Sequence, residues 1–198
     1  MAASDLTTVE AVRAFLQKQT VDVNQDAVVA SMITAASVEI MRQYSREFAP
    51  AVTGASRDFE YEGGGFLSFG SYDLRTLTSV LIDVDETPAT TLLATEHRLF
   101  PQPARDGVYS ALRLAPYILS SRTRWQQRLV RVTGDWGFAS VPEPVAQACI
   151  VTVATWLRRD VQAFSSTFNI DEGRVERPEA LPEQAVRMLA PYRRESYP

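Results

Sequence analysis

The residue types that most often carry out catalysis are scarce in this chain. Its 198 residues include one histidine, His97, and one cysteine, Cys149. His97 lies in the strand-like stretch HRLF, where a structural or exposed histidine is a simpler interpretation than a general base. Cys149 lies in an apolar run, and a nucleophilic cysteine would need a neighbouring histidine or cation to lower its pKa. We therefore predict no catalytic residue.

Phosphate-binding and metal-binding motifs are incomplete. Gly65 and Gly70 have the spacing of a phosphate-binding loop, but Ser71 stands where that loop needs a lysine. Three neighbouring acids could hold a hard cation, although such a group more often forms a solvated turn. These acids are Asp83, Asp85 and Glu86. We predict no metal and no cofactor. The open alternative is a small carboxylate- or metal-dependent hydrolase that uses a cleft in the middle of the chain.

A group of arginines surrounds Trp125 in the stretch SRTRWQQRLVR. Arginines next to an aromatic side chain can bind a nucleic-acid backbone, which would assign Arg122, Arg124 and Arg128 to DNA contact. The alternative is a solvated hairpin whose arginines pair with acids of a neighbouring protein. The sequence alone leaves both open.

Composition is that of an ordinary globular protein. Hydrophobic residues make up 45% and charged residues 22% of the chain. The net charge of -4 gives no overall attraction to nucleic acid or anionic lipid. The first residues lack the basic start and apolar run of a signal peptide, and no stretch reaches the roughly 18 apolar residues of a membrane helix. We expect a protein made in a cytoplasm-like compartment, without membrane contact.

Hydrophobic periodicity predicts helices at both ends of the chain and strands in its middle. The helices are expected at residues 8–18, 25–48, 143–160 and 182–190. The predicted fold class is α+β, a small helical bundle with a β-rich insertion. Residues 1–56 and 135–162 would form the helical core, residues 57–134 the insertion, and residues 163–198 a C-terminal arm with a short helix.

The third predicted helix is apolar on nearly all sides. Between residues 145 and 157 its only polar residues are Gln147, Thr152 and Thr155. A helix of this kind must be buried on nearly all sides. One alternative is that a neighbouring subunit covers its second face, and the other is that the insertion of the same chain does so.

Both ends of the chain resemble the head–tail connector (adaptor) proteins of long-tailed phages and gene transfer agents. The resemblance begins with TVEAVRAFLQ, Asp26 and ASVEIMRQYSREF in the N-terminal half and ends with LAPYRR. Between them lies a strand, a glycine–aromatic turn, Val-Pro and the apolar helix. The matching residues there are Val130, Val132, Thr133, Gly134, Trp136, Gly137, Val141, Pro142, Val145, Ala148 and Trp156.

The resemblance implies a structural protein of the virion neck, not an enzyme. Such a protein forms a homo-oligomeric ring of twelve copies under the portal, extends the DNA channel and docks a stopper or tail-completion protein. It serves genome packaging and DNA ejection, and its contact with the genomic DNA is non-specific. It is made in the host cytoplasm.

The site residues expected under this interpretation fall into three groups. Trp136 and Pro142 are structural anchors where the sheet meets the bundle, and Arg122, Arg124 and Arg128 contact the DNA channel or a neighbour. The subunit or portal contacts are Val145, Cys149, Val153, Trp156, Met188, Leu189, Tyr192, Arg193 and Arg194. The end of the arm is expected to become ordered only in the assembled neck, because an isolated short helix is marginal in water; the alternative is a helix docked on its own subunit.

Overall fold

The computed structural model describes residues 5–17, 23–48, 50, 52–61, 65–82, 89–104, 106–115, 128–165 and 181–194. The chain forms two compact units. The helical unit comprises Met1–Tyr44 and Val141–Arg193, and the β unit comprises Ser45–Ser140 and Arg194–Pro198.

The helical unit contains four α-helices: α1 (Val9–Phe15), α2 (Val23–Tyr44), α3 (Glu143–Ser165) and α4 (Glu183–Leu189), the last followed by a 3₁₀ turn (Ala190–Tyr192). The side chain of Thr8 caps α1 by accepting a hydrogen bond from the Ala11 amide. Arg13 Nε donates to Asp26 Oδ1 over 2.7 Å and so joins α1 to α2. Helices α1, α2 and α4 all contact α3, which is therefore the central helix of this unit.

The β unit contains seven described strands in two antiparallel sheets. The four-stranded sheet has the order β1-β7-β3-β4, and the three-stranded sheet has the order β2-β6-β5. The strands are β1 (Val52–Tyr61), β2 (Phe66–Ser68), β3 (Leu74–Ile82), β4 (Thr90–Thr91), β5 (His97–Phe100), β6 (Ala111–Leu114) and β7 (Arg128–Trp136).

Successive side chains of the central strand β7 point alternately into the hydrophobic core and towards the surface. Val130, Val132 and Trp136 are buried and belong to the hydrophobic core of the β unit. The alternate side chains Arg131 and Thr133 face outward and bond to β1, where Arg131 pairs with Asp58. The sheet therefore has one apolar and one polar face, as expected for antiparallel strands with one wet side.

The predicted α+β fold class is confirmed, and each of the four predicted helices has an observed counterpart. Helix α3 runs five residues beyond its predicted end at residue 160, and α2 ends at Tyr44, four residues before its predicted end. The sheet is also wider than expected, because β1 begins at Val52 and β7 ends at Trp136, outside the predicted insertion of residues 57–134.

Candidate assembly surfaces

Helix α3 is covered within its own chain. Val145, Cys149 and Val153 are completely buried, and every residue from Ala148 to Ala154 is buried, whereas Gln147 near the start of the helix is exposed. The few polar groups are bonded locally: Thr152 donates to the Ala148 carbonyl over 2.8 Å, and Ser37 Oγ lies 3.7 Å from Cys149 Sγ. The helix is thus buried on all sides along its central turns without a second subunit.

This burial corrects part of the predicted interface. Val145, Cys149 and Val153 present no surface to a neighbour in this conformation, and neither do Leu189 and Tyr192, which are also buried. The remaining members of the predicted set have some exposure. Trp156, Met188 and Arg194 are half-buried, and Arg193 is exposed.

The Cys149 thiol is poorly suited to act as a nucleophile. Burial raises the pKa of its thiol to about 11, so the thiolate that a nucleophile requires is not populated near neutral pH. Burial also lowers the pKa of His97 on β5, which favours the neutral imidazole. Within the described part of the chain, no group of three metal-ligating side chains occurs. Asp83, Asp85 and Glu86 lie outside the described residues.

The short helix α4 packs on its own chain, which corrects the expectation that the arm becomes ordered only in the neck. Ala185 and Leu189 are buried, and the helix contacts α3. The Tyr44 hydroxyl donates to the Val186 carbonyl over 3.3 Å. The physical reason is that α4 does not need to be stable alone, because the apolar side of the bundle buries its apolar face.

A buried ion cluster lies in the β unit. Arg46 donates from Nε and Nη2 to the two carboxylate oxygens of Asp73, over 2.8 and 3.0 Å, and Arg194 lies 3.4 Å from the same carboxylate. Burial raises the pKa of Asp73, and the two guanidinium groups oppose this rise. The Arg46 guanidinium also lies 5.1 Å from the ring centre of Phe138. Arg194, predicted to contact a partner, therefore has partners in its own chain.

Trp136 and Pro142 have structural positions. Trp136 is only 1% exposed, and its indole Nε1 donates to the Ala55 carbonyl over 2.9 Å. Its ring packs against Phe69 in the core of the β unit. The Pro142 carbonyl accepts the amides of the first turn of α3. Their role as anchors between sheet and bundle stays a prediction.

The predicted arginine site lies almost entirely outside the described residues. Arg122 and Arg124 are not described, and Arg128 is described only as the first residue of β7. Their assignment to DNA or to a neighbour therefore stays a prediction.

One candidate surface was not predicted from the sequence. The outer side of α2 is exposed yet carries no charged side chain for three turns, although a surface helix normally has a charged outer face. Val28 and Val38 are 49% and 46% exposed there. This uncharged α2 face comprises Ala27, Val28, Ser31, Thr34, Ala35 and Val38. The signal in the sequence is the absence of any charge between Asp26 and Glu39.

Among the described residues, no helix combines the length and the apolar character needed to cross a bilayer. No curated protein sequence matches the chain significantly.

In fold, the chain is similar to a solved chain described as "Neck of empty GTA particle computed with C6 symmetry". The TM-score is 0.52 and the sequence identity 16%, and the similarity covers 100% of this chain and 94% of the other. At that identity the similarity establishes the fold alone. The sequence model of the head completion protein family, by contrast, matches residues 5–195, nearly the whole chain. The chain therefore belongs to the head completion protein family, as a structural protein of the virion in the head–tail connector class and not an enzyme.

Proposed function

We propose that this protein is a head–tail connector of the virion neck. It forms a homo-oligomeric ring under the portal protein, extends the DNA channel and docks a stopper or tail-completion protein. The observation that carries the proposal is membership of the head completion family over residues 5–195. Support comes from the similarity in fold, over the full length, to a chain from the neck of a gene transfer agent particle.

The proposed ring contains twelve copies. That number is compatible with six-fold symmetry of the kind applied to the neck particle, because each symmetry unit would then hold two copies. In a closed ring every subunit uses two different surfaces, one for each neighbour. The proposal therefore requires at least two contact patches on the outside of the chain.

We infer that the uncharged α2 face is one of these patches. Burying its valines costs no desolvation of charge, because the helix contributes no charged side chain there. Asp5 lies beside this face and accepts a hydrogen bond from the Thr34 hydroxyl over 2.9 Å. Trp156, Met188 and Arg193, the accessible members of the predicted interface, are candidates for a second patch or for the portal contact.

The experiment that tests the connector role is an assembly measurement on the full chain. Light scattering after size-exclusion chromatography should show a concentration-dependent ring, and negative-stain images should show a central opening. Mixing with portal rings from the same particle should produce a co-eluting complex. A chain that stays monomeric at all concentrations and also fails to bind portal rings would refute the proposal.

Within the described residues, no group of three metal-ligating side chains supports the hydrolase alternative. A cleft beside β5 is lined by Glu96 and His97 together with Arg98 and Arg113. Glu96 accepts a hydrogen bond from the Leu93 amide, so its carboxylate is engaged by the backbone. Membership of the head completion family favours a structural role over the hydrolase alternative.

A further inference from the structure

A half-buried arginine at the edge of the four-stranded sheet is held in place by aromatic rings. Arg57 of β1 has its guanidinium carbon 3.5 Å from the ring centre of Tyr72 and 5.3 Å from that of Trp136. Its Nε is buried, and no hydrogen bond or ion pair joins the guanidinium to a described residue. The rings thus fix the position of the charge but leave its hydrogen-bond donors unused.

The acids of the same cleft do not neutralise Arg57. Asp73 and Glu47 both line this cleft. The carboxylate of Asp73 is already shared by Arg46 and Arg194. Glu47 forms no ion pair with Arg57. A carboxylate that neutralises Arg57 would therefore have to come from outside this cleft.

Exposed apolar side chains lie around the guanidinium. Val52, the first residue of β1, is 55% exposed, Pro50 is exposed, and both line the same cleft as Arg57. Strand β1 is an edge strand of its sheet. We call Pro50, Val52 and Arg57 the β1 edge patch. A single cation within an apolar surface matches a partner surface that is apolar except for one acid.

The uncharged α2 face has this complementary composition. Val28 and Val38 are exposed on it, and Asp5 beside it contributes a carboxylate. That carboxylate accepts the hydrogen bond from Thr34, but no ion pair joins it to a described residue. In a closed ring each subunit presents two different surfaces. A contact between two copies of the α2 face would supply acids without an arginine, so this face matches the β1 edge patch better than it matches itself.

We propose that the guanidinium of Arg57 binds the Asp5 carboxylate of a neighbouring copy of this chain, with the β1 edge patch of one subunit against the α2 face of the next. The inference rests on the proposed ring and names the two surfaces that form it. An arginine and a carboxylate form two parallel hydrogen bonds, which also fix the orientation of the contact. Because Tyr72 already holds Arg57, the side chain loses little rotamer freedom when the contact forms.

The first test removes each charge without reversing it. Arg57→Gln and Asp5→Asn should each raise the concentration of half-assembly, measured by light scattering, by roughly tenfold. The double variant should assemble no worse than either single variant, because each single change already removes the pair. Arg98→Gln, an exposed position on the three-stranded sheet, is the control and should assemble like the wild type.

Charge reversal provides a second test that is independent of folding defects. Asp5→Arg brings two cations together at each contact, and Arg57→Asp brings two acids together, so neither variant alone should assemble where the wild type does. An equal mixture should form mixed rings. The native Arg57 of one variant then meets the native Asp5 of the other, and the two substituted positions meet at the next contact. Thermal melting of each variant shows that it is folded.

Three results would overturn the inference. One is a double neutral variant whose loss is the product of the two single losses, and another is a mixture that stays monomeric although both reversed variants are folded. The third is wild-type ring formation by Arg57→Gln. In that case a lower melting temperature would mean that Arg57 only stabilises the β unit, and lost binding to portal rings would make the portal the partner of the patch.

The wild-type chain in the same assays separates this inference from the proposed function. If it forms rings and binds portal rings while Arg57→Gln does so equally well, only the contact between Arg57 and Asp5 fails. If the wild-type chain neither assembles nor binds portal rings, the connector function fails, and the inference fails with it.

Discussion

Trp136 contributes to the β unit through contacts with neighbouring aromatic rings and through its one polar atom. Phe59 and Phe69 lie 5.6 and 5.3 Å from it between ring centres, and the indole nitrogen is bonded to the Ala55 carbonyl. The side chain therefore fills a large volume in the core of the β unit. Removing it should leave a cavity lined by aromatic rings.

We predict that Trp136→Ala lowers the free energy of unfolding by roughly 3–5 kcal/mol. Urea denaturation followed by circular dichroism measures this change. Phe15→Ala is the control, because Phe15 is 46% exposed and its loss should cost less than about 1 kcal/mol. A cost below about 1 kcal/mol for Trp136→Ala would show that the ring is not in the core.

His97 should make stability depend on pH below neutrality. Burial lowers the pKa of His97 from its ordinary value of 6.5, so the unfolded chain takes up its proton first as the pH falls. The folded state therefore loses stability as the pH drops from about 6.5 towards the lower pKa of the folded state.

Melting of the wild type and of His97→Gln at pH 7, 6 and 5 tests this prediction. The stability of the wild type relative to the variant should decrease as the pH falls. Asp73, whose pKa is also shifted, is present in both chains, so its contribution cancels in the comparison. A constant difference between the two chains would mean that His97 protonates equally in both states.

At the scale of elements, the packing of β3 against β7 depends on Gly134. A Cβ atom built on this residue would lie 2.1 Å from the Thr76 carbonyl oxygen, a backbone atom that cannot rotate away. The pairing of β3 with β7 is irregular on both sides of this point, between Leu74 and Thr76 and again between Leu77 and Ser79. Glycine allows the two backbones to approach closely here.

We predict that Gly134→Ala destabilises the fold by roughly 1–3 kcal/mol, because one strand must move away from the other. Thermal melting measures the effect. Thr78→Ala, an exposed position of β3, is the control and should change stability by about 0.5 kcal/mol or less. Equal melting of the glycine variant and the wild type would contradict the close approach.

The docking of the C-terminal helix gives a second prediction at this scale. Tyr192 closes the 3₁₀ turn after α4 and is buried, whereas the next residue, Arg193, is exposed. Tyr192→Ala should lower the free energy of unfolding by roughly 3 kcal/mol, and Arg193→Ala should leave it nearly unchanged. Deleting residues 190–198 should also lower the melting temperature. If the melting temperature of Tyr192→Ala equals that of the wild type, the C-terminal arm is instead ordered only by a partner, as expected from the sequence.

For the whole molecule, the uncharged α2 face links the fold to assembly. We predict that Val38→Glu prevents ring formation without loss of stability. The new carboxylate would enter the proposed subunit contact, yet it stands four residues before Arg42, a favourable spacing on a helix. Gln43→Glu adds the same charge at an exposed position outside this face and is the control.

Light scattering measures ring formation by both variants, and thermal melting measures their stability. Ring formation by Val38→Glu at wild-type concentrations would place the subunit contact elsewhere. Loss of assembly together with a lower melting temperature would indicate a folding defect instead of a contact.

The amino-acid sequence alone determines the type and order of most elements. Apolar residues at intervals of three and four define α2, and alternating residues define β7, because these periods follow from the local geometry of helix and strand. The ends of elements are less well determined. The strand β1 begins at Val52 rather than at residue 57 because Ala55 and Gly134 are register partners 79 positions apart, and local patterns carry no information about such pairs.

Only the tertiary structure decides which surfaces remain free. The apolar pattern of α3 shows that the helix must be buried but does not show which elements bury it. The structure places α1, α2 and α4 around it. In the same way, Arg46 has the sequence context of an exposed helix end, yet Asp73 neutralises it in a buried site. Arg98 and Arg113 stand opposite each other only because β5 pairs with β6 in this register. Burial and charge pairing depend on contacts between distant parts of the chain, and these contacts exist only once the chain has folded.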